Sequence, residues 1–225
     1  SLGSNFVSNS EYAKQSFKFM VINDSSINAF AGPVGIIGIN SGVILHSTDE
    51  SALAGVVAHE IAHVTQKHLA RAFEEAKKYS LPTAAAMIGA LIMATQNPSA
   101  GQAMLSGISG LNTQNQINFT RDNEEEADRI GFKNLVSAGF DPNSMSYMFE
   151  KLQALSRLSG SNELEFLRSH PLTKKRISDA QSRAREYVGS NYRNSIEYSL
   201  VKARSIVHFA QLPRQAIRKF DQDRR

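Results

Sequence analysis

Residues 59–63 read His59-Glu60-Ile61-Ala62-His63, and this stretch decides the class of fold. On a helix, side chains four positions apart lie on one face, so the two imidazoles can bind one metal ion. Glu60 lies one position further round the helix, where its carboxylate can reach a water at that ion. Two ligands and one general base at this spacing are typical of zinc metallopeptidases.

The residues around this motif predict one long helix over residues 47–79. Ser47 and Glu50 have the spacing of a capping box, in which each side chain bonds the backbone N–H of the other residue. Apolar residues then recur at helical spacing. They are Leu53, Val56, Val57, Ile61 and Val64. We therefore expect the motif in mid-helix, where its geometry is fixed; the alternative is two core or surface histidines beside a solvated glutamate.

Composition limits the source of a third metal ligand, because the chain has no cysteine and few histidines. His68 lies five positions after His63 and should point well off the ligand face. Carboxylates are the better source, and residues 120–128 (TRDNEEEAD) should begin a second helix whose dipole favours acids. Glu124 and Asp128 share a face, so one can bind the metal while the other accepts a hydrogen bond from a ligand histidine. The alternative is a charge cluster at a helix N-terminus, which is the better interpretation for the two acids after Glu124.

Four motifs together resemble the gluzincin group that contains the Ste24-type and HtpX-type metallopeptidases. H-E-x-x-H is followed by R-x-x-E-x-x-A-D at residues 121–128. N-A-F-A at residues 28–31 and S-H-P-x-x-x-x-R at residues 169–176 are similar to two further elements of that family. The likeness covers residues 1–188 and is nearest to the soluble bacterial branch of periplasmic protease-chaperones.

The resemblance assigns roles to single residues of the site. His59, His63 and Glu124 match the ligands of one Zn²⁺ per chain. Glu60 matches the catalytic base, and Asp128 matches the acid that supports a ligand histidine.

The resemblance also implies an α+β, predominantly helical, zincin-like metallopeptidase domain with a small β-sheet. We expect this domain over residues 1–188, with its beginning missing from the chain. Residues 189–225 are expected to form a C-terminal helical extension. One interpretation of that extension is the start of a tetratricopeptide-type region, and the other is packing on the catalytic domain.

The expected activity is that of a zinc endopeptidase that cleaves misfolded or unassembled envelope proteins in the periplasm, with the outer-membrane assembly machinery as a partner. Two rivals stay open: a chaperone or scaffold with a latent zinc site, and a metal-stabilised domain without turnover. The net charge of +4 is modest. No nucleic-acid-binding motif accompanies the basic residues, so we expect no nucleic acid partner.

Residues 17–21 and 36–45 are predicted strands, the second with glycines that would let another backbone approach. One hypothesis is an edge strand that pairs with an extended substrate peptide. Its substrate-binding residues would be Gly35, Ile36, Ile37, Gly38 and Ile39. The alternative is an ordinary core strand.

His170 precedes a proline and should lie in an extended or turn conformation. It could donate a hydrogen bond to the transition-state oxyanion, or it could occupy the fourth metal position and keep the enzyme inactive. The third interpretation is a loop histidine bonded to backbone. Arg176 is a second candidate for stabilising the oxyanion.

Residues 81–94 are rich in Ala, Met and Ile and are followed by a Gly/Ser-rich stretch to residue 110. The apolar run is shorter than the roughly 20 residues that a membrane span needs. We predict a helical hairpin, buried or mobile over the site. Contact of residues 81–110 with a membrane surface is the alternative.

Overall fold

The computed structural model describes residues 16–158, 164–187, 192 and 194–210. Three short strands precede a series of helices, so the prediction of a predominantly helical α+β fold with a small sheet is confirmed. The strands are β1 (Lys18–Ile22), β2 (Ala29–Ala31) and β3 (Ile36–Asn40), with a 3-10 turn (Pro33–Gly35) before β3. The helices are α1 (Ser41–His46), α2 (Glu50–Thr65), α3 (His68–Gln96), α4 (Pro98–Ser137), α5 (Ser144–Leu158), α6 (Glu165–Ser169), α7 (Lys174–Arg185) and α8 (Ile196–Phe209).

The strand order β1-β3-β2 makes β3 the central strand of the sheet. It pairs parallel to β1 and antiparallel to β2, with Gly38 opposite Phe30. The hypothesis that Gly35, Ile36, Ile37, Gly38 and Ile39 form a substrate-binding edge strand is therefore wrong, because β3 has a partner on each side and Gly35 lies in the 3-10 turn before it. At Gly38 a Cβ would lie 2.4 Å from the Phe30 ring. The glycine accommodates an aromatic side chain of the same sheet, not a substrate backbone.

The predicted strand over residues 36–45 ends early, because residues 41–46 form α1. Val43, Ile44 and Leu45 are all buried in this helix. Asn40, Ser41 and Gly42 interrupt the apolar run, and such a cluster is a signal for the end of one element and the start of another that the prediction did not use. The side chain of Ser41 donates to the carbonyl of Ile22 at 2.9 Å and ties the start of α1 to the end of β1.

The predicted helix over residues 47–79 is two helices, because Lys67 adopts a left-handed conformation (φ 56°) and separates α2 from α3. The N-cap of α2 is Asp49, whose carboxylate accepts from the backbone N–H of Ala52 at 2.8 Å. Ser47 instead donates to the carbonyl of Val43 at 2.7 Å. The predicted capping box is thus replaced by an aspartate cap, and no glycine or proline in the sequence marked the break after α2.

Helix α2 is buried on nearly every side, as expected for an Ala-rich helix at the centre of a domain. It packs on the sheet and on the apolar faces of α4 and α5. These neighbours contribute Ile37, Ile39, Phe132, Leu135, Met145, Met148, Phe149 and Leu152. The motif at residues 59–63 therefore lies on a helix that its surroundings hold firmly.

The chain divides into two compact units, one formed by Ser1–Gln66 with Glu126–Arg225 and the other by Lys67–Glu125. The second unit is the predicted helical hairpin of α3 and the first part of α4. One alternative was that this hairpin is buried. It is not, because Leu81, Ile88 and Leu91 are exposed. Among the described residues, no helix combines the length and the apolar character needed to cross a membrane.

Helix α8 lies in the same compact unit as α2. Tyr198 and Lys202 both donate to the carbonyl of Ser47, at 3.3 and 2.9 Å. Ile206 packs on Leu45 of α1. The described part of the predicted extension is thus helical and packed on α1, whereas residues 211–225 lie outside the described residues and the domain boundary at residue 188 stays a prediction.

Candidate active site

Helix α2 carries His59, Glu60 and His63 on one stretch of buried helix. Their neighbours leave 2% of His59 and none of Glu60 exposed, and His63 is half-buried. The two Nε2 atoms of the histidines lie 3.0 Å apart. The four-residue spacing therefore produces the convergence of imidazole nitrogens that the sequence predicted.

Helix α4 brings Glu124 and Asp128 to this stretch, and both carboxylates are buried. The approach is close, because a Cβ at Gly131 would lie 3.0 Å from the backbone nitrogen of His59. The prediction that these acids begin a helix is wrong, since α4 starts at Pro98 and they lie in its middle. The position of Glu124 and Asp128 is therefore explained by the packing of α4 on α2, and not by a helix dipole.

Asp128 links a histidine of the motif to an arginine from a distant part of the chain. Its Oδ1 lies 2.9 Å from His59 Nδ1, and Arg176 donates to both of its oxygens at 2.6 and 2.8 Å. Burial alone would raise the pKa of the Asp128 carboxyl, but the hydrogen bonds and charges of Arg176 and His59 outweigh burial and lower that pKa. The carboxylate is therefore ionised and fixes which nitrogen of His59 faces the other donors.

His170 enters the same site from the turn after α6. Its Nδ1 lies 3.3 Å from His59 Nε2, and its Nε2 lies 3.5 Å from a carboxylate oxygen of Glu60. The ring stacks on Phe166 with a centroid distance of 4.6 Å. The backbone N–H of His170 donates to the carbonyl of Phe166, which closes the turn. Of the three interpretations of His170, this placement favours the two in which it acts at the site.

The four residues His59, His63, Glu124 and His170 could together hold a metal ion. Each offers one nitrogen or oxygen, and these four atoms lie within 4.8 Å of one another. Glu124 precedes Asp128 by one turn of the same helix, so the two carboxylates come from one face of α4, as their spacing predicted. Neutral imidazoles and a carboxylate are donors that divalent transition metals accept.

The sequence made Arg176 a candidate oxyanion donor, but in the structure its guanidinium donates to other groups. Its Nε and Nη2 bind Asp128, and its Nη1 donates to the carbonyl of Pro171 at 2.8 Å. The guanidinium also lies over the ring of Phe149, 5.1 Å from its centroid. All three nitrogens thus have protein partners behind the site.

Two contributors to the site were not identified from the sequence. Gly131 allows the close approach of α4 to α2, and Phe166 supports the ring of His170. A glycine inside a helical pattern is a signal for such packing, and it could have identified Gly131. No local pattern marks Phe166, because its role depends on the fold of the turn that follows it.

A buried H-E-x-x-H helix, a glutamate from a second helix and a small sheet define a zincin-like metallopeptidase. The chain belongs to peptidase family M48, whose family model matches residues 1–184. The predicted family and the prediction of a metalloprotease are thereby confirmed.

Curated relatives agree with this assignment. The chain is 41% identical over 206 residues to the beta-barrel assembly-enhancing protease of Escherichia coli, covering 92% of the chain and 42% of the relative. Identity to the protein of that name from Yersinia pestis is 40% over 203 residues, covering 90% and 42%. The mitochondrial metalloendopeptidase OMA1 of Schizosaccharomyces pombe is 36% identical over 157 residues, covering 70% and 43%. The chain thus spans less than half the length of these relatives.

Proposed function

We propose that this chain is the catalytic part of a zinc endopeptidase that acts on unfolded or unassembled proteins of the bacterial envelope. The observation that carries the proposal is the convergence of His59, His63 and Glu124 around one point beside the buried carboxylate of Glu60.

Zinc suits this donor set geometrically. Donors about 2.0–2.1 Å from one Zn²⁺ in a tetrahedron lie roughly 3.3–3.4 Å from each other. Nε2 of His59 lies 3.0 Å from Nε2 of His63 and 3.3 Å from Nδ1 of His170, close to that separation. Cysteine is absent, and nitrogen with one carboxylate is a common donor set of catalytic zinc.

Glu60 is the general base of the proposed reaction. Bound Zn²⁺ supplies Lewis acidity, which polarises the scissile carbonyl and acidifies the attacking water. Glu60 takes a proton from that water and passes it to the leaving amine. Asp128 holds the Nδ1 of His59, so that its Nε2 stays available as a ligand.

His170 occupies the place of a fourth donor, and we propose that the turn carrying it must move before a substrate can bind. Its Nδ1 is about as far from His59 Nε2 as a neighbouring ligand would be. Replacing His170 by Ala should then raise cleavage of an unfolded substrate. A fall would instead support donation to the oxyanion, and unchanged cleavage would contradict both roles.

Among the described residues, β1 and β2 are the two edge strands of the sheet, and we propose that the outer edge of β2 receives a substrate. Asn40 donates to the carbonyl of Asn28, and Gly32 donates to the carbonyl of Ile36. Residues 28 and 32 therefore direct their backbone groups towards β3, so Ala29 and Ala31 direct theirs to the opposite side. On that side Phe166, four residues before His170, donates to the carbonyl of Ile27 at 3.2 Å. An extended peptide on this edge would lie close to His170.

The envelope location and the class of substrate rest on the relatives. The name of the bacterial relatives describes a protease that enhances β-barrel assembly. We propose that the chain acts in the periplasm on unassembled outer-membrane proteins, together with the machinery that inserts them.

A second candidate function is client binding by the hairpin of α3 and α4. No Asp, Glu, Lys, Arg or His occurs between Lys78 and Arg121. A groove of about 370 Å³ between these helices is lined mainly by uncharged side chains, among them Tyr79, Phe119, Asn112, Asn115 and Gln116, and by one acid, Glu75. Amide and aromatic side chains suit an unfolded, uncharged polypeptide. Binding to lipid vesicles in place of unfolded protein would support the membrane-contact alternative for residues 81–110.

The replacement Glu60→Gln tests the proposed function. The variant should keep one zinc per chain and lose cleavage of an unfolded outer-membrane protein by about 10²- to 10⁴-fold. Replacing the exposed Glu74 by Gln is the matched control and should leave cleavage unchanged. Surviving cleavage in Glu60→Gln would exclude this residue as the base. A zinc-loaded wild type that prevents aggregation but never cleaves would favour the client-binding function.

A further inference from the structure

We propose that Arg176 is a positioning residue that joins the orientation of His59 to the turn carrying His170. This inference rests on the proposed metal site and adds a physical link between two of its donors that come from distant parts of the chain.

The first half of the link runs through Asp128. Arg176 donates from Nε and Nη2 to the two oxygens of this carboxylate, at 2.6 and 2.8 Å. The same carboxylate lies 2.9 Å from Nδ1 of His59. Arg176 and Asp128 are each about 2% exposed, so water does not screen these contacts. This bidentate pair of hydrogen bonds fixes the plane of the Asp128 carboxylate and thereby the orientation of the His59 imidazole.

The second half of the link runs through the backbone. Nη1 of Arg176 donates to the carbonyl of Pro171 at 2.8 Å, and Pro171 directly follows His170. The turn is fixed at both ends, since His170 N–H donates to the carbonyl of Phe166 and Arg176 N–H donates to the side chain of Thr173. One guanidinium therefore contacts the carboxylate that supports His59 and the backbone of the residue that follows His170.

The shape of the side chain matters as much as its charge. Arginine presents donors in a rigid planar fork, whereas lysine presents one flexible ammonium. A lysine at position 176 can keep a charge near Asp128 but cannot bond two carboxylate oxygens and a carbonyl in one plane. Arg176→Lys should consequently preserve the fold better than removal of the charge while weakening the link.

Two consequences separate this role from a purely structural one. Loss of a group that orients a metal ligand usually weakens metal binding by about 10- to 100-fold. In addition, occupancy of the metal site should change the exchange of backbone amides in the turn and in the first turn of α7, because the link transmits order from His59 to these residues.

The experiment measures Zn²⁺ affinity by chelator competition, and amide hydrogen exchange with and without Zn²⁺, on the full chain. Exchange is compared in the His170→Ala background, where no direct contact between His170 and the ion can protect the turn. Zn²⁺ should still slow exchange at residues 174–177 in that background. Adding Arg176→Lys should abolish this protection and raise the Zn²⁺ dissociation constant 10- to 100-fold. The matched control is Arg185→Gln, at an exposed arginine of α7. It should change neither the Zn²⁺ dissociation constant nor the Zn²⁺-dependent protection.

Each outcome supports or contradicts the proposed link through Arg176, or contradicts the metal site on which it rests. Unchanged Zn²⁺ affinity and unchanged protection in the Arg176→Lys variant would overturn the link, even if its melting temperature fell. If Arg176→Lys does not fold, the His170→Ala protein alone still tests the inference, because absence of Zn²⁺-dependent protection at residues 174–177 would contradict it. A wild type that binds no Zn²⁺ would instead overturn the proposed function.

Discussion

One compact unit contains a network of buried ions, and the other contains a long uncharged stretch with exposed apolar side chains. In the unit that contains α2, ionised side chains such as Asp128 and Arg176 are buried and bonded to each other. In the hairpin of residues 67–125, apolar side chains such as Ile88 and Leu91 are exposed on helices that carry no charge between Lys78 and Arg121. Buried ions fix one geometry, because any other arrangement leaves a charge without a partner. Exposed apolar helices fix no geometry of their own and gain stability when something covers them.

The largest effect should come from breaking the buried ion network. Asp128→Asn leaves the Arg176 guanidinium buried without a negative partner and should lower the free energy of unfolding by about 3–5 kcal/mol. The measurement is urea denaturation of the zinc-free protein.

The matched control for that network is Asp179→Asn on α7. Asp179 lies 3.4 Å from Lys175 in an exposed pair, and its loss should cost at most about 1 kcal/mol. Equal losses in the two variants would show that the Asp128–Arg176 pair behaves like a surface pair, contrary to its burial.

Truncation of one leucine in each unit should give the next largest difference. Leu152 is 1% exposed in the core beside α2, and Leu152→Ala should cost about 2–5 kcal/mol. Leu91 is 59% exposed in the hairpin, and Leu91→Ala should change stability by no more than about 0.5 kcal/mol. If the hairpin binds clients, Leu91→Ala should nevertheless weaken protection of an unfolded outer-membrane protein from aggregation. A large stability loss in Leu91→Ala would mean that this face is already covered.

The same contrast explains what the sequence could predict. Helix geometry alone places His59 and His63 on one face of their helix, and Glu124 and Asp128 on one face of theirs. That the two pairs meet was implied only by the resemblance to a known family. The family and the predominantly helical class followed from motifs at the correct distances. The predictions for the two helices concern residues whose neighbours lie within one turn, whereas the family and the fold class depended on the combination of motifs.

The predictions that proved wrong concerned the ends of elements and partners distant in sequence. The break at Lys67 has no glycine or proline to mark it. The end of β3 at Asn40 is marked by Asn40, Ser41 and Gly42, which the predicted strand passed over. The central place of β3 depends on pairing with β1, which precedes it by a dozen or more residues. The contact of Arg176 with Asp128 likewise spans 48 positions, and only the packed structure brings the two together.

The smallest and sharpest comparison uses two glycines of the single helix α4. At Gly131 a Cβ would lie 3.0 Å from His59 N and 3.1 Å from the carbonyl of Ala58, so α4 would have to move away from α2. Gly131→Ala should cost about 1–3 kcal/mol and reduce cleavage, because the movement also displaces Asp128 from His59. At Gly107, in the hairpin, a Cβ meets nothing within 4 Å. Gly107→Ala should therefore stabilise its part of the helix by about 0.5–1 kcal/mol, through the better helix propensity of alanine. Amide hydrogen exchange along α4, compared between each variant and the wild type, measures both changes. Slower exchange in both variants would show that α4 has room to adjust where it meets His59.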